Sequence, residues 1–310
     1  MKSILTRLAL TLPVVWLVVS LVFLLIHLVP GDPIQQMLGD GATPTDTATL
    51  RHQYFLDLPL PQQYLRYWAG VLHGDLGNSI RLHDTVAHLI AARYPYTLAL
   101  TLTALGLGLL LALPAGILAA VNRGRWLDQL LSVVSLFGLS VPGLVLGPVL
   151  ILVFSISLGW LPVSGANSGG SASIDWRYLV LPSIAMGASL AAILTRMVRT
   201  AMLEELSQDY IRTARAKGLS ETAVVCRHAL PNALVPIITV VGLQFGALLA
   251  GAIVTETIFS WPGLGRLVVS AIANRDYALV QGCLLSIGLT YVLVNLLTDV
   301  LCRWANPRMR

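Results

Sequence analysis

The feature that most limits what this chain can become is its set of long stretches without Asp, Glu, Lys or Arg, several of which reach about 20 residues. A helix of that length crosses about 30 Å of hydrocarbon, and a water-soluble domain has no use for so many of them. Six spans are predicted, over 8–29, 97–121, 129–157, 179–199, 233–256 and 281–302. The third is long enough to be tilted or broken near Pro142 and Pro148. Composition agrees: 56% of residues are hydrophobic and 11% are charged, against about 25% charged in soluble domains. The first span follows Lys2 and Arg7 but exceeds a signal-peptide core and runs into Pro30-Gly31-Asp32-Pro33 without a small-x-small cleavage site, so it reads as a retained anchor.

Basic residues set the orientation, because cytoplasmic loops carry the excess. With the N-terminus inside, the inner side receives Lys2, Arg7, Arg123, Arg125, Arg196, Arg199, Arg212, Arg215, Lys217, Arg227, Arg303, Arg308 and Arg310. Both termini are then cytoplasmic. The net charge of +5 follows from this topology and does not call for nucleic acid. Cys226, Cys283 and Cys302 are widely spaced, with no C-x-x-C pair, so neither a disulfide framework nor a zinc site is indicated.

The chain divides into an anchor over 1–30, an external helical cap over 31–95 and a five-span body over 96–310. The cap is too long to be a simple connection. Thr45 or Asp46 is expected to cap a helix through Arg51, Pro61 to start another carrying Tyr64, Tyr67 and Trp68, and Asp84 to cap a third ending at Arg93. Glycines and prolines recur inside the spans, where they allow close approach or bending.

If a chain with this many spans moves a solute, it needs an energy source, and it shows none of its own. Its two lysines, Lys2 and Lys217, lie outside any Walker A context. The acidic groups and the histidine in the spans, His27, Glu256 and Asp299, all lie toward span ends, and Asp299 is one turn before Arg303, an i,i+4 pair. No His-Glu-x-x-His or Gly-x-Ser-x-Gly motif is present, so no catalytic residue is assigned and the energy must come from a partner.

The loop 201–232 is where such a partner would grip. Ser207 to Lys217 reads as a short helix with acids Glu204, Glu205 and Asp209 toward its start and bases toward its end, as the helix dipole favours. Gly218 suits the left-handed position that stops it, and Ser220 caps a second helix that ends before Pro231. A short rigid helix between two spans would suit a soluble motor as a lever; the other reading is an ordinary positive-inside loop with local structure.

Within this loop, Asp209-Tyr210-Ile211-Arg212-Thr213-Ala214-Arg215-Ala216-Lys217-Gly218-Leu219 and His228-Ala229-Leu230-Pro231-Asn232-Ala233 resemble the "EAA" loop of ATP-binding-cassette importer permeases. The variant is that of the dipeptide, oligopeptide and nickel branch, with Arg212-Thr213-Ala214 in the Glu-Ala-Ala place. Pro30-Gly31-Asp32-Pro33, His73-Gly74-Asp75-Leu76-Gly77, the run from Thr255 to Gly265, Asn274-Arg275-Asp276-Tyr277 and Asn306-Pro307-Arg308 extend the likeness over nearly the whole chain. The resemblance implies an all-α integral membrane protein of the bacterial inner membrane, the first of two permease subunits in a type I importer. It implies a homologous second permease as heterodimer partner, two cytoplasmic ATPases that carry ATP and magnesium, and an external substrate-binding protein. Asp209, Tyr210, Arg212, Thr213, Ala214, Arg215, Ala216, Lys217 and Gly218 would form the ATPase-coupling helix. Gly246, Gly251 and Thr255 would face the translocation path. Glu256 and Trp261 would form an outer gate or a structural turn. Peptides, including glutathione-like molecules, are the implied substrates, with nickel or a metal–chelator complex as the alternative. His52, His73, His83 and His88 are imidazoles suited to nickel, but no metal site is assigned to them. A stand-alone ion-coupled transporter is the competing class, and it would require ionisable groups or broken-helix ion sites in mid-span.

Overall fold

The computed structural model describes residues 2–28, 34, 43–53, 56–79, 81–167 and 174–305. The motifs at Pro30–Pro33 and Asn306–Arg308 lie outside them. Eleven helices are numbered here in chain order. They are α1 (Lys2–Leu28), α2 (Pro44–Gln53), α3 (Leu60–His73), α4 (Val86–Val121), α5 (Trp126–Ser140), α6 (Gly143–Leu150), α7 (Trp176–Leu206), α8 (Asp209–Ala216), α9 (Glu221–Ile258), α10 (Leu264–Ala273) and α11 (Tyr277–Ala305). A two-stranded antiparallel ribbon pairs β1 (Asn78–Ser79) with β2 (Asp84–Thr85).

Among the described residues, four helices are long and apolar enough to cross a membrane: α4, α7, α9 and α11. A fifth crossing results if α5 and the Gly143–Ser157 stretch, bent by 95° at the break, count as one. The break falls at Pro142, whose preceding residue Val141 is extended, the conformation that a following proline enforces. Pro148 stays inside its helix, and the stretch beyond it, Ile151–Ser157, widens into a π-helical turn. The apolar part of α1 within the described residues is Leu10–Leu24.

The chain divides into two compact units, Met1–Pro95 with Pro262–Leu293 and Tyr96–Trp261 with Val294–Arg310. In the first, α1 and α3 meet through Phe23, Tyr64, Tyr67 and Trp68, and the Ser20 and Tyr64 hydroxyls are 2.6 Å apart. The Gln281 amide donates to the Val22 carbonyl at 2.9 Å. A second cluster gathers Val86, Ile90, Leu264, Val268, Leu279 and Cys283. Asp276 accepts from the buried Ser79 hydroxyl and from the Leu279 amide, and so fastens the β-ribbon to the first turn of α11.

Pro61 lies in the first turn of α3 as expected, but other helix starts and stops near prolines differ from expectation. α2 begins at Pro44, ahead of Thr45 and Asp46. A proline lacks only an N–H that the first turn leaves unbonded anyway. The cap of α4 is Thr85, whose Oγ1 accepts from the His88 amide, while Asp84 holds the Thr85 amide and the His88 ring. α4 does not end at Arg93 but continues through Pro95 and Pro114. One lost backbone bond at each proline is outweighed by the apolar run that follows.

In the second unit, α7 is the most enclosed helix, with Leu181, Ala185, Leu190, Leu194, Val198 and Met202 buried. α4 approaches it closely enough that a Cβ at Gly116 would fall 2.8 Å from the Thr195 carbonyl, so only glycine fits there. Asp128 in the first turn of α5 is 4% exposed. It receives Arg199 of α7 through Nε at 2.6 Å and Nη2 at 2.8 Å, and the Gly124 amide at 2.9 Å.

Candidate functional site

The loop between α7 and α9 carries the strongest sequence motif. α8 spans Asp209–Ala216 and buries only Ile211 and Ala214, three residues apart on one face. These two join Val198, Met202, Val224, Val225, Ala229 and Ala233 in one apolar cluster. Asp209, Tyr210, Arg212, Thr213, Arg215, Ala216, Lys217 and Gly218 are exposed. The helix is therefore seated on the body by two small contacts and presents its remaining surface outward.

Its ends are braced. Gly218 has φ +80° and follows the last turn, where its amide donates to the Arg215 carbonyl at 2.9 Å. Ser220 accepts from the Ala223 amide, as an N-cap should. Arg215 pairs with Glu221 through two bonds, at 2.6 and 3.1 Å, and this pairing raises the already high pKa of the guanidinium. Tyr210 forms a junction: its hydroxyl donates to the Glu205 carboxylate in the last turn of α7 and accepts from the Asn232 amide of α9 at 3.0 Å. Asn232 also donates to the His228 carbonyl at 2.9 Å.

The second helix of the loop does not end before Pro231. It is continuous with the next span as α9, through a π-helical turn at Val224–Ala229, with Pro231 in the first turn of regular α-helix. The wider turn makes room for the proline ring, and the Asn232 side chain bonds a carbonyl beside the disturbed ladder. This is a physical reason for Tyr210 and Leu230-Pro231-Asn232 to occur in one sequence, 22 residues apart.

The other predicted residues fall in two places. Glu256 is fully buried near the end of α9 and accepts from the Thr97 hydroxyl at 2.6 Å. Trp261, also fully buried, donates its indole N–H to the Tyr96 carbonyl at 2.9 Å and meets the Tyr96 ring edge-on at 6.0 Å. Its backbone amide returns to the Glu256 carbonyl at 2.8 Å. The two residues thus clasp one turn of α4. Gly251 and Thr255 instead line a cavity of about 340 Å³ bounded by Gly143 and Leu144, by α7 from Ala185 to Ile193, and by α9 from Gln244 to Thr255. A Cβ at Gly251 would meet nothing within 4 Å, because the glycine faces open space. Gly246 is not among the lining residues.

Sequence reasoning missed Gln244 and Ser189, both in this cavity. The signal was present, since Gln244 is an amide midway along an otherwise apolar span, but a search for ionisable side chains passes over it. Among the described residues, no group of three or more His, Cys, Asp or Glu is placed to hold a metal ion.

Comparison with known proteins follows the same lines. The chain is 44% identical, over all 310 residues and 99% of the relative, to the glutathione transport system permease protein GsiC of Escherichia coli O6:H1 (strain CFT073). It is equally similar, over the same lengths, to that of Salmonella paratyphi A (strain ATCC 9150 / SARB42). Among solved structures, an inward-facing MetNI methionine ABC transporter chain covers 70% of this chain and 96% of its own, with a TM-score of 0.57 at 20% identity. An amino acid ABC transporter chain gives 0.51 at 17% identity, covering 71% and 94%. These two likenesses establish the fold. The model of the N-terminal part of binding-protein-dependent transport system membrane components matches residues 1–101. That of the inner membrane component itself matches 112–310. With apolar helices able to span a bilayer several times, the chain belongs to the inner-membrane components of binding-protein-dependent transport systems.

Proposed function

We propose that this chain is one of two homologous permease subunits of an ATP-driven importer, that it forms half of the path for short peptides of the glutathione class, and that α8 is its coupling helix. The observation that carries the reading is the construction of α8: a short amphipathic helix, fixed underneath by Ile211 and Ala214, tied at Tyr210 to both flanking helices, and exposed on the remaining faces. A helix held this way moves its flanking helices when it is moved. Of two cytoplasmic ATPases, which bind the nucleotide and magnesium, one would grip Arg212, Thr213, Arg215 and Ala216. An external binding protein would deliver the substrate. The peptide class is supported by full-length similarity to glutathione permeases.

In this reading the chain crosses the membrane six times with both termini cytoplasmic, as the distribution of Lys and Arg favours. Residues 31–95 form an external cap, and 201–232 the coupling loop. Gly251 and Thr255 line the path. Gly246, half-buried on the same helix, is assigned to the path with them although it does not line the cavity. Glu256 and Trp261 fasten the outer turn of α9 to α4.

Affinity purification of the tagged chain in mild detergent tests the proposal. A second permease and the ATPase subunits are expected in the eluate, with ATP hydrolysis stimulated by liganded binding protein. Uptake of glutathione by the chain alone in vesicles, without ATP, would overturn it. So would labelling of α8 from the outside of intact cells.

A further inference from the structure

Resting on that reading, we infer that Gln244, assisted by Ser189, is a binding point for the peptide group of the substrate inside the translocation path. Both residues lie near the middle of long helices, α9 and α7, and both line the cavity of about 340 Å³. That volume is within the range of small-molecule sites.

Hydrogen-bond accounting singles them out. Elsewhere in the helices Ser135, Ser140, Thr195 and Ser286 fold their hydroxyls back onto the carbonyl four residues earlier. Thr255, the other hydroxyl in the cavity, also turns back, onto the Gly251 carbonyl at 3.4 Å. Among the described residues, the Gln244 amide and the Ser189 hydroxyl have no hydrogen-bond partner. At hydrocarbon depth an unsatisfied amide costs several kcal/mol, and it persists where it faces a path that water or a ligand enters, or another protein surface, an alternative that the cross-link below separates.

The chemistry of the ligand follows from the lining. No lining residue is charged, so a bare cation or anion gains nothing there. A glutamine side chain presents one carbonyl acceptor and an NH₂ donor, which matches the N–H and C=O of a peptide group. Met186, Leu190 and Leu248 supply apolar surface for the methylene parts of the substrate.

The test uses the whole importer in proteoliposomes and S-methylglutathione, whose blocked thiol leaves cysteine reagents free to report. Gln244→Leu, nearly the same size, is expected to lower uptake about tenfold, with a smaller loss for Ser189→Ala, at unchanged complex yield and unchanged binding-protein-stimulated ATP hydrolysis. Gln244→Asn should recover part of the loss. In a Cys226→Ser background, S-methylglutathione during turnover should slow maleimide labelling of Gln244→Cys. Wild-type uptake with equal uptake by Gln244→Leu and no protection of the cysteine would overturn this inference and leave the import reading standing. Equal loss of uptake and ATP hydrolysis, or a cross-link from Gln244→Cys to the second permease that peptide does not disturb, would also overturn it by making the residue structural. A wild-type complex that fails to move the peptide would sink the import reading and this inference with it.

Discussion

Gly218 is the most economical place to challenge the coupling role of α8. Its φ of +80° is open to glycine and strained for most other residues. No heavy atom lies within 4 Å of a Cβ placed there, so a substitution meets no steric obstacle and its whole cost is conformational. A side chain in the left-handed region costs about 1–2 kcal/mol, and a β-branched one reaches about 2–3 kcal/mol. The bonds at risk close the last turn of α8: Gly218 amide to Arg215 carbonyl at 2.9 Å and Leu219 amide to Ala214 carbonyl at 3.4 Å. Losing about 2–3 kcal/mol shifts the seated turn roughly 30- to 150-fold toward an open one. Arg215 then leaves Glu221. Uptake in cells expressing the full importer should therefore fall about tenfold or more for Gly218→Val, less for Gly218→Ala, and within about twofold for Gly218→Asn, which tolerates the left-handed region. Immunoblots of the membrane fraction should show equal insertion for all three, because the glycine touches no span. Equal activity of the Val and Asn variants would refute the argument, and so would loss of insertion in step with loss of uptake.

The remaining interactions give further tests. Tyr210→Phe removes the hydroxyl that joins Glu205 to Asn232 and should lower peptide imported per ATP several-fold, with insertion unchanged. A normal transport ratio would show that the junction transmits nothing. Arg215→Glu places two acids together and should abolish uptake, whereas the exchanged pair Arg215→Glu with Glu221→Arg should restore part of it. Both side chains are about half exposed, so the effect on thermal stability should stay below about 1 kcal/mol. Asp128→Asn weakens the two-pronged bond to Arg199 in a buried setting and should cost about 1–3 kcal/mol, read as a lower melting temperature in detergent. A melting temperature equal to wild type would mean that water replaces the lost contact.

Local signals were legible in the sequence wherever one residue sets the backbone. The helix expected over Ser207–Lys217 is Asp209–Ala216, Gly218 holds the left-handed position, and Ser220 caps the next turn. The break near Pro142 was also legible, though not its 95° angle, which depends on what α6 packs against. Prolines misled in the other direction. Pro95 and Pro231 read as boundaries, yet helices pass through both, since one missing donor is a small loss beside a long apolar run. The buried setting of Glu256 and Trp261 was not legible at all. Thr97 and Tyr96 lie 159 and 165 residues away, and no local pattern announces such a partner.

The same limit bears on the path itself. Charged residues are conspicuous in an apolar span, and their lack in mid-span argues against ion coupling by this chain. An amide is quieter. For a permeating peptide, however, a neutral donor–acceptor pair is a suitable device, because conduction requires a site favourable enough to enter and weak enough to leave. A buried charge opposite a substrate charge would hold it through a desolvated ion pair and slow release. Gln244 offers one or two neutral hydrogen bonds of about 1 kcal/mol each. That is enough to orient a peptide between Met186 and Leu248 and too little to trap it. Gln244→Glu should for this reason impair transport differently from Gln244→Leu: tighter retention and slower release of a peptide bearing a free amino group, seen as a lower KM together with a lower maximal rate. If Gln244→Glu lowers neither, the peptide does not pass within reach of this residue.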